Sequence, residues 1–513
     1  MPEQIIRNIK KNIPEQWKIC LLSAMIMGFA AHLYKLANWL PNWDSLVFRY
    51  DAQDMLSMGR WLLGAVCAPG SFYDLPWLVG LAAILFHALG AVCICSMFGI
   101  RKNLTAAMIG AAVITFPTVT SVLTYNYVAD GYAVAFLLSC MAAAVLVGEK
   151  PRYVAAVILI ALSAGIYQAY ITVTIMLLLC RLIVDALHGE EGVSALIVKS
   201  GKFLAAGAVG MVLYYLILTV LLKVTGTALL EYQGIDSAFA FRGLNILSSL
   251  YTVKQTFVGY FFDFSNGPSA FAVISCIGCA LTVILYLIDM AAGRTGVGKT
   301  LLLVVYVLLL PVGASALAFI NSEIDYHNLM KMGFFGFHLL LILKYEKTCV
   351  KSEKWNVARA WAVLGVMAVL ILNQTVLANV SYHKLTMAYE KSYGTLIRIA
   401  DRVEQTEGAQ DCDRVLIVGA LPGSEAYSAN LPPDMTGTTD GYILRADDEI
   451  IGQSVVCSAL NDYCGKDYDF VSGEEKAALL EKSSTGHTAV WPAAGSVFVI
   501  DDVIVIRLGD EGR

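Results

Sequence analysis

The sequence predicts an all-α polytopic membrane protein of about eleven transmembrane helices, with a small C-terminal extracytoplasmic α/β domain. Three observations predict it. The 513 residues are 58% hydrophobic and only 15% charged, with a mean hydropathy of +0.65. A soluble globular chain is nearer half apolar and a quarter charged. Apolar runs of spanning length recur to about residue 380, and beyond it the pattern changes to short strands, loops and amphipathic helix. The net charge of −5 argues against nucleic acid as a partner.

The spans are expected near 17–37, 75–98, 104–123, 131–147, 153–168, 169–187, 203–223, 268–290, 300–320, 328–344 and 357–379. The two runs that meet at Tyr167 are also compatible with one bent helix. The first run lacks a cleavage site and reads as a retained anchor. Arg7, Lys10, Lys11 and Lys18 lie before it, and later basic groups (Arg101 and Lys102; Lys150 and Arg152; Lys199 and Lys202; Arg294 and Lys299; Lys344, Lys347, Lys351 and Lys354) fall on the same side. That side is the cytoplasm by the positive-inside rule, so the N-terminus is expected inside and the C-terminus outside.

Two outer loops are long, 38–74 and 224–267, and the second is rich in aromatics such as Tyr232, Phe239, Phe241, Tyr251, Phe257 and Tyr260. Within the first, residues 51–63 put Asp51, Asp54 and Arg60 on one helical face and Met55, Met58, Leu62 and Leu63 on the other, which suits a helix lying in the interface. The chain therefore divides into a membrane domain, 1–380, and an extracytoplasmic domain, 381–513. In the latter, 389–405 has helical periodicity, Arg414–Gly419 (RVLIVG) reads as a buried strand, and Ser496–Leu508 reads as a hairpin turning at Asp501-Asp502.

Polar residues beside the bilayer are the candidates for chemistry. Asp44, Arg49, Asp51, Asp54 and Arg60 crowd the first outer loop. A carboxylate there can take a proton from a sugar hydroxyl, and an arginine can hold phosphate oxygens by a two-point contact. Asp44 and Asp54 are the candidate bases, and Arg60, Asp51 and Arg49 candidate substrate contacts. Asp130 opens a span after TYNYVAD, so it is either a first-turn acid or part of the site. Gln168, in GIYQAY, either lines the cavity or bonds a neighbouring helix. Glu323, Asp325 and Lys331 fall together in FINSEIDYHNLMK. Lys331 enters a span, where an ammonium needs a carboxylate or a phosphate beside it.

Other motifs are weaker. Gly293–Thr300 (GRTGVGKT) matches the P-loop spelling, but a span precedes it where a P-loop needs a strand, so it reads as a turn. The histidines show no metal-binding spacing, and no metal site is expected. Cys412, Cys457 and Cys464 leave room for a disulfide in the tail.

Residues 42–80, with DSL, SMGRW and FYDLPWLVG, then TYNYVADGYAVAFLLS and SAGIYQAY in that order, resemble the GtrII-type glucosyltransferase family. The resemblance runs to about residue 345 and implies a GT-C-like enzyme. Such an enzyme takes a sugar from a polyprenyl-phosphate donor on the outer side, with a first-loop carboxylate as base. Carried onto this chain, it implies Asp44 first and Asp54 second as base, Arg60 on the donor phosphate, and glucose as the hexose. It also implies an undecaprenyl carrier, a glycan or lipid-linked acceptor, and a bacterial plasma membrane. An arginine expected after the Glu323 loop is replaced here by HNLMKM, where Lys331 stands in. No cofactor is required, and the need for a divalent cation is left open. A transporter or flippase of lipid-linked sugar is the alternative, although it would place its charges near the midplane. A non-catalytic assembly scaffold would explain the spans but not the acidic loop.

Overall fold

The computed structural model describes residues 13–67, 70–230, 245–262, 270–291, 296–322, 324–347, 354–421, 449–484 and 489–509. The chain forms two units. One comprises residues 1–37 and 51–379, and the other residues 38–50 and 380–513.

The first unit is helical throughout: α1 (Glu15–Ala37), α2 (Pro76–Phe98), α3 (Asn103–Thr115), α4 (Pro117–Thr124), α5 (Ala129–Val147), α6 (Tyr153–Ile166), α7 (Ile171–His188), α8 (Val193–Thr225), α9 (Ile246–Phe261), α10 (Ala270–Ala291), α11 (Val297–Ala314), α12 (Phe335–Lys347) and the first half of α13 (Lys354–Glu404). Among the described residues eight helices are long and apolar enough to cross a membrane, and a ninth crossing is available if the bent pair α3–α4 counts as one. This is a polytopic all-α membrane protein. Helices α6 and α12 occupy two further expected spans with only 14 and 13 residues.

Local sequence explains the breaks. Pro117 has no N–H to donate and pushes Phe116 out of helical geometry (ψ 137°), so α3 ends and α4 starts at a 41° bend. Gly99 closes α2 in the left-handed conformation, its N–H bonded to the Cys95 and Ser96 carbonyls. Between α6 and α7 the chain passes through a short 3₁₀ turn, Gln168–Tyr170, so two helices occupy this stretch. The polar backbone freed there is satisfied by serines: Ser139 Oγ donates to the Tyr170 carbonyl and meets Ser163 Oγ, each at 2.9 Å.

Small residues let the helices touch. A Cβ on Gly110 would lie 2.2 Å from the Cys20 carbonyl oxygen, so α3 meets the backbone of α1 directly. Charge collects at helix ends. Arg181 and Lys199 share Asp185, while Asp289 of α10 takes both Lys344 of α12 and Arg359 of α13. Glu346 accepts from the backbone N–H groups of Arg101 and Lys102 and from Thr105 Oγ, capping the start of α3. Within the P-loop spelling Val297–Thr300 open α11, and the element before it in the chain is the helix α10, not a strand.

The interfacial helix expected over 51–63 does not form. Residues 51–54 have no regular structure, with Gln53 at φ +57°, Met55 and Arg60 pair as an antiparallel bridge around the 3₁₀ turn Leu56–Met58, and a one-turn helix follows at Leu63–Cys67. Gly59 sits at φ +73°, which breaks helical periodicity at the residue before Arg60. Of the aromatics in loop 224–267, Tyr232, Phe239 and Phe241 lie outside the described residues, while Tyr251, Phe257 and Tyr260 belong to α9.

The second unit is α/β. Its strands β1 (Arg414–Val418), β2 (Asp469–Phe470), β3 (Val497–Ile500) and β4 (Val503–Arg507) form one sheet in the order β2-β1-β4-β3. Strand β1 is parallel to both its neighbours, and β3–β4 is the expected hairpin. Asp501 and Asp502 both have positive φ, 50° and 57°, as a two-residue type I′ turn requires. Val415 and Ile417 pack on one face of the sheet, Leu416 and Val418 on the other. Residues 38–50 belong to this unit: Leu46 joins the core with Leu396, Ile399 and Leu460, and Trp39 packs edge-on to Tyr389 and tilted against Tyr463. Among the described residues all cysteines are free, Cys412, Cys457 and Cys464 included, as are Cys276 and Cys279 within α10.

Candidate active site

The turn from Asp51 to Cys67 carries the candidate site in the membrane unit. Its centre is Arg60. The guanidinium donates from Nη1 to the Tyr132 hydroxyl at 2.9 Å and lies 4.8 Å over the Tyr167 ring. Tyr132 and Tyr167 stack in parallel, with centroids 4.5 Å apart and an interplanar angle of 9°. A planar cation held on a π-face and tied to a hydroxyl keeps its direction. Tyr132 comes from the first turn of α5, and Tyr167 from the break between α6 and α7.

The backbone beside Arg60 is also held. Gln168 Nε2 donates to the Met58 carbonyl and to the Tyr214 hydroxyl, and that hydroxyl donates to the Gly59 carbonyl, all at 3.0 Å. Gln168 thus bonds the turn and a neighbouring helix, one of the two roles its position suggested.

His327 and Lys331 complete the cluster. His327 lies within electrostatic reach of Arg60, Lys331 and Asp325. Burial holds its imidazole well below the usual histidine range, at about 4; Asp325 opposes this, while Arg60 and Lys331 add to it. His327 Nδ1 is buried and makes no hydrogen bond among the described residues. Lys331 is half-buried in the 3₁₀ helix Asn328–Phe334, with exposed Asp325 as its electrostatic partner. Glu323 lies outside the described residues.

The acids divide by what they touch. Asp54 is exposed, and among the described residues its carboxylate has no hydrogen-bond or ion-pair partner. Asp51 accepts from the Gln53 N–H in a local turn at 3.2 Å. Asp130 is buried and accepts from Ser71 Oγ and the Gly131 N–H, each at 2.9 Å, as a first-turn acid does. Asp74 takes the Asn126 side-chain amide. Asp44 and Arg49 belong to the second unit. Asp44 lies in the one-turn helix Trp43–Val47, and Arg49 pairs with Asp462 at 3.0 Å and stacks on Trp39 and Tyr50. Among the described residues no group of three or more His, Cys, Asp or Glu is placed to hold a metal ion.

Residues 33–373, about two thirds of the chain, match the family described as Glucosyl transferase GtrII. The chain belongs to the GtrII glucosyltransferase family. No match was found among curated proteins or among solved structures. The matched region contains the whole Arg60 cluster. As a glucosyltransferase, the protein needs a sugar donor and an acceptor, and its reacting groups are a nucleophilic hydroxyl and a leaving group.

Sequence reasoning missed Tyr132, Tyr167 and Tyr214, and considered the histidines only as metal ligands. Tyr132 and Tyr167 stand within the two segments that carry the family resemblance, so a signal existed. Tyr214 sits in an apolar run, GMVLYYLIL, that looks like lipid-facing helix.

Proposed function

We propose that this glucosyltransferase takes a hexose, glucose, from a polyprenyl-phosphate carrier and transfers it to a glycan or lipid-linked acceptor at the outer face of a bacterial plasma membrane. The observation that carries the reading is Arg60, fixed on the Tyr132–Tyr167 stack and sharing a cluster with His327 and Lys331, six residues after Asp54, an acid with no partner among the described residues. A bound phosphodiester suits the charge of this cluster, in which Arg60 and Lys331 lie within electrostatic reach of His327. The N-terminus is cytoplasmic in this reading, and residues 381–513 extend the outer face as an acceptor-orienting domain.

In the transfer step the acceptor oxygen attacks the anomeric carbon and its proton passes to the Asp54 carboxylate. The bond from the anomeric carbon to the phosphate oxygen breaks, and its electron pair leaves with the phosphate. Arg60 and Lys331 stabilise that charge. Asp54 is favoured because its carboxylate is exposed and has no partner among the described residues, and it directly precedes Met55, which bridges to Arg60. Asp44, which the resemblance ranks first, is the competing base. With purified protein and a synthetic donor, Asp54→Asn should lower kcat by about 100-fold or more, with the donor KM little changed. Wild-type turnover in that variant, together with an inactive Asp44→Asn, would move the role to Asp44.

A further inference from the structure

We propose that Gln168 and Tyr214 are positioning residues that fix the Met55–Arg60 turn and thereby aim the Arg60 guanidinium at the donor phosphate. The inference rests on the reading of Arg60 given above. The turn closes on itself through the Arg60 N–H, which donates to the Met55 carbonyl at 3.1 Å. Its consecutive carbonyls at Met58 and Gly59 each receive a side-chain donor from elsewhere in the bundle.

The donors balance. Both amide protons of Gln168 are used, one on the Met58 carbonyl and one on the Tyr214 oxygen, and the single phenolic proton of Tyr214 goes to Gly59. Tyr214 is buried among Leu56, Ala161, Ala164 and Leu218, where little water competes for these bonds. Fixing the Gly59 carbonyl fixes the peptide plane that carries the Arg60 nitrogen. A Cβ at Gly59 would come within 2.6 Å of the Tyr214 hydroxyl and 2.8 Å of Gln168 Nε2, so the network leaves space for glycine alone. Gln168 is also the chain neighbour of Tyr167, whose ring carries the guanidinium. One helix break therefore supplies both the clamp on the backbone and the platform under the side chain.

The test is a double-mutant cycle on the full-length protein in lipid nanodiscs, with a synthetic polyprenyl-phosphate hexose and a fixed acceptor. Gln168→Leu and Tyr214→Phe should each raise the donor KM about tenfold, with the acceptor KM within about twofold, while Arg60→Ala alone raises the donor KM about 100-fold. In the Arg60→Ala background neither substitution should have a further effect, because both act through Arg60. Additive losses in that background, or equal losses for donor and acceptor, overturn the positioning role. An unchanged donor KM in Arg60→Ala refutes the phosphate reading itself, a distinct result. Thermal unfolding of each variant is measured alongside. If Gln168→Leu fails to fold, Tyr214→Phe, which keeps the buried ring, decides the outcome.

Discussion

Replacing Gly59 by alanine tests the arrangement of the Arg60 turn most directly, and Gly99→Ala is its control. Both glycines have positive φ, +73° and +59°, so both variants bear the left-handed strain of an L-residue, about 1 kcal/mol. Their surroundings differ. No atom lies within 4 Å of a Cβ built on Gly99, whereas one on Gly59 meets the Tyr214 hydroxyl at 2.6 Å and Gln168 Nε2 at 2.8 Å. Relieving that overlap displaces the donors to the Met58 and Gly59 carbonyls, at about 1 kcal/mol for each lost bond. Gly59→Ala should therefore cost about 3 kcal/mol in the geometry of the turn, and Gly99→Ala about 1 kcal/mol in helix stability alone. At about 1.4 kcal/mol per decade, the Gly59 variant should lose roughly 100-fold in kcat/KM, while the Gly99 variant keeps near wild-type turnover. The assay is sugar transfer by the purified proteins, with circular dichroism to verify helix content. Equal activities for the two variants, or wild-type kcat/KM in Gly59→Ala, would refute the idea that the turn is held by its neighbours.

Two further outcomes follow from the charged groups. His327 is held at about 4 when folded, against 6.5 in the unfolded chain, so between these values the unfolded state binds the extra proton. Its contribution to stability is fully present above about pH 6.5 and is lost as pH falls towards 4. It amounts to about 3 kcal/mol at most, and unfolding midpoints measured across that window should fall less steeply in His327→Asn than in the wild type. Asp289→Asn strands Lys344 and Arg359, both beside the substituted residue, without their shared carboxylate. This should destabilise the protein by about 3 kcal/mol, read as a lower unfolding midpoint in detergent. An unchanged midpoint would mean that the two cations find other partners.

The sequence by itself determined the class of the protein and most of its element order. Apolar run length and the scarcity of charge mark a membrane chain because an unpaired charge or an open backbone group is costly in lipid, and that penalty is written residue by residue. The tail hairpin was legible for the same local reason: two β-rich runs flank an Asp-Asp pair that tolerates positive φ. The segment 51–63 was not legible. Its spacing of polar and apolar residues fits a helix, but Gly59 and the donors from Gln168 and Tyr214 fold it into a turn. The site residues divide in the same way. Arg60, Asp54 and Lys331 are visible as charges beside apolar runs. The tyrosines that hold Arg60, the orphaned Nδ1 of His327 and the enlistment of residues 38–50 by the C-terminal core depend on contacts between segments distant in the chain. Only the tertiary structure could decide those, because a side chain's partner is set by packing that no local pattern encodes.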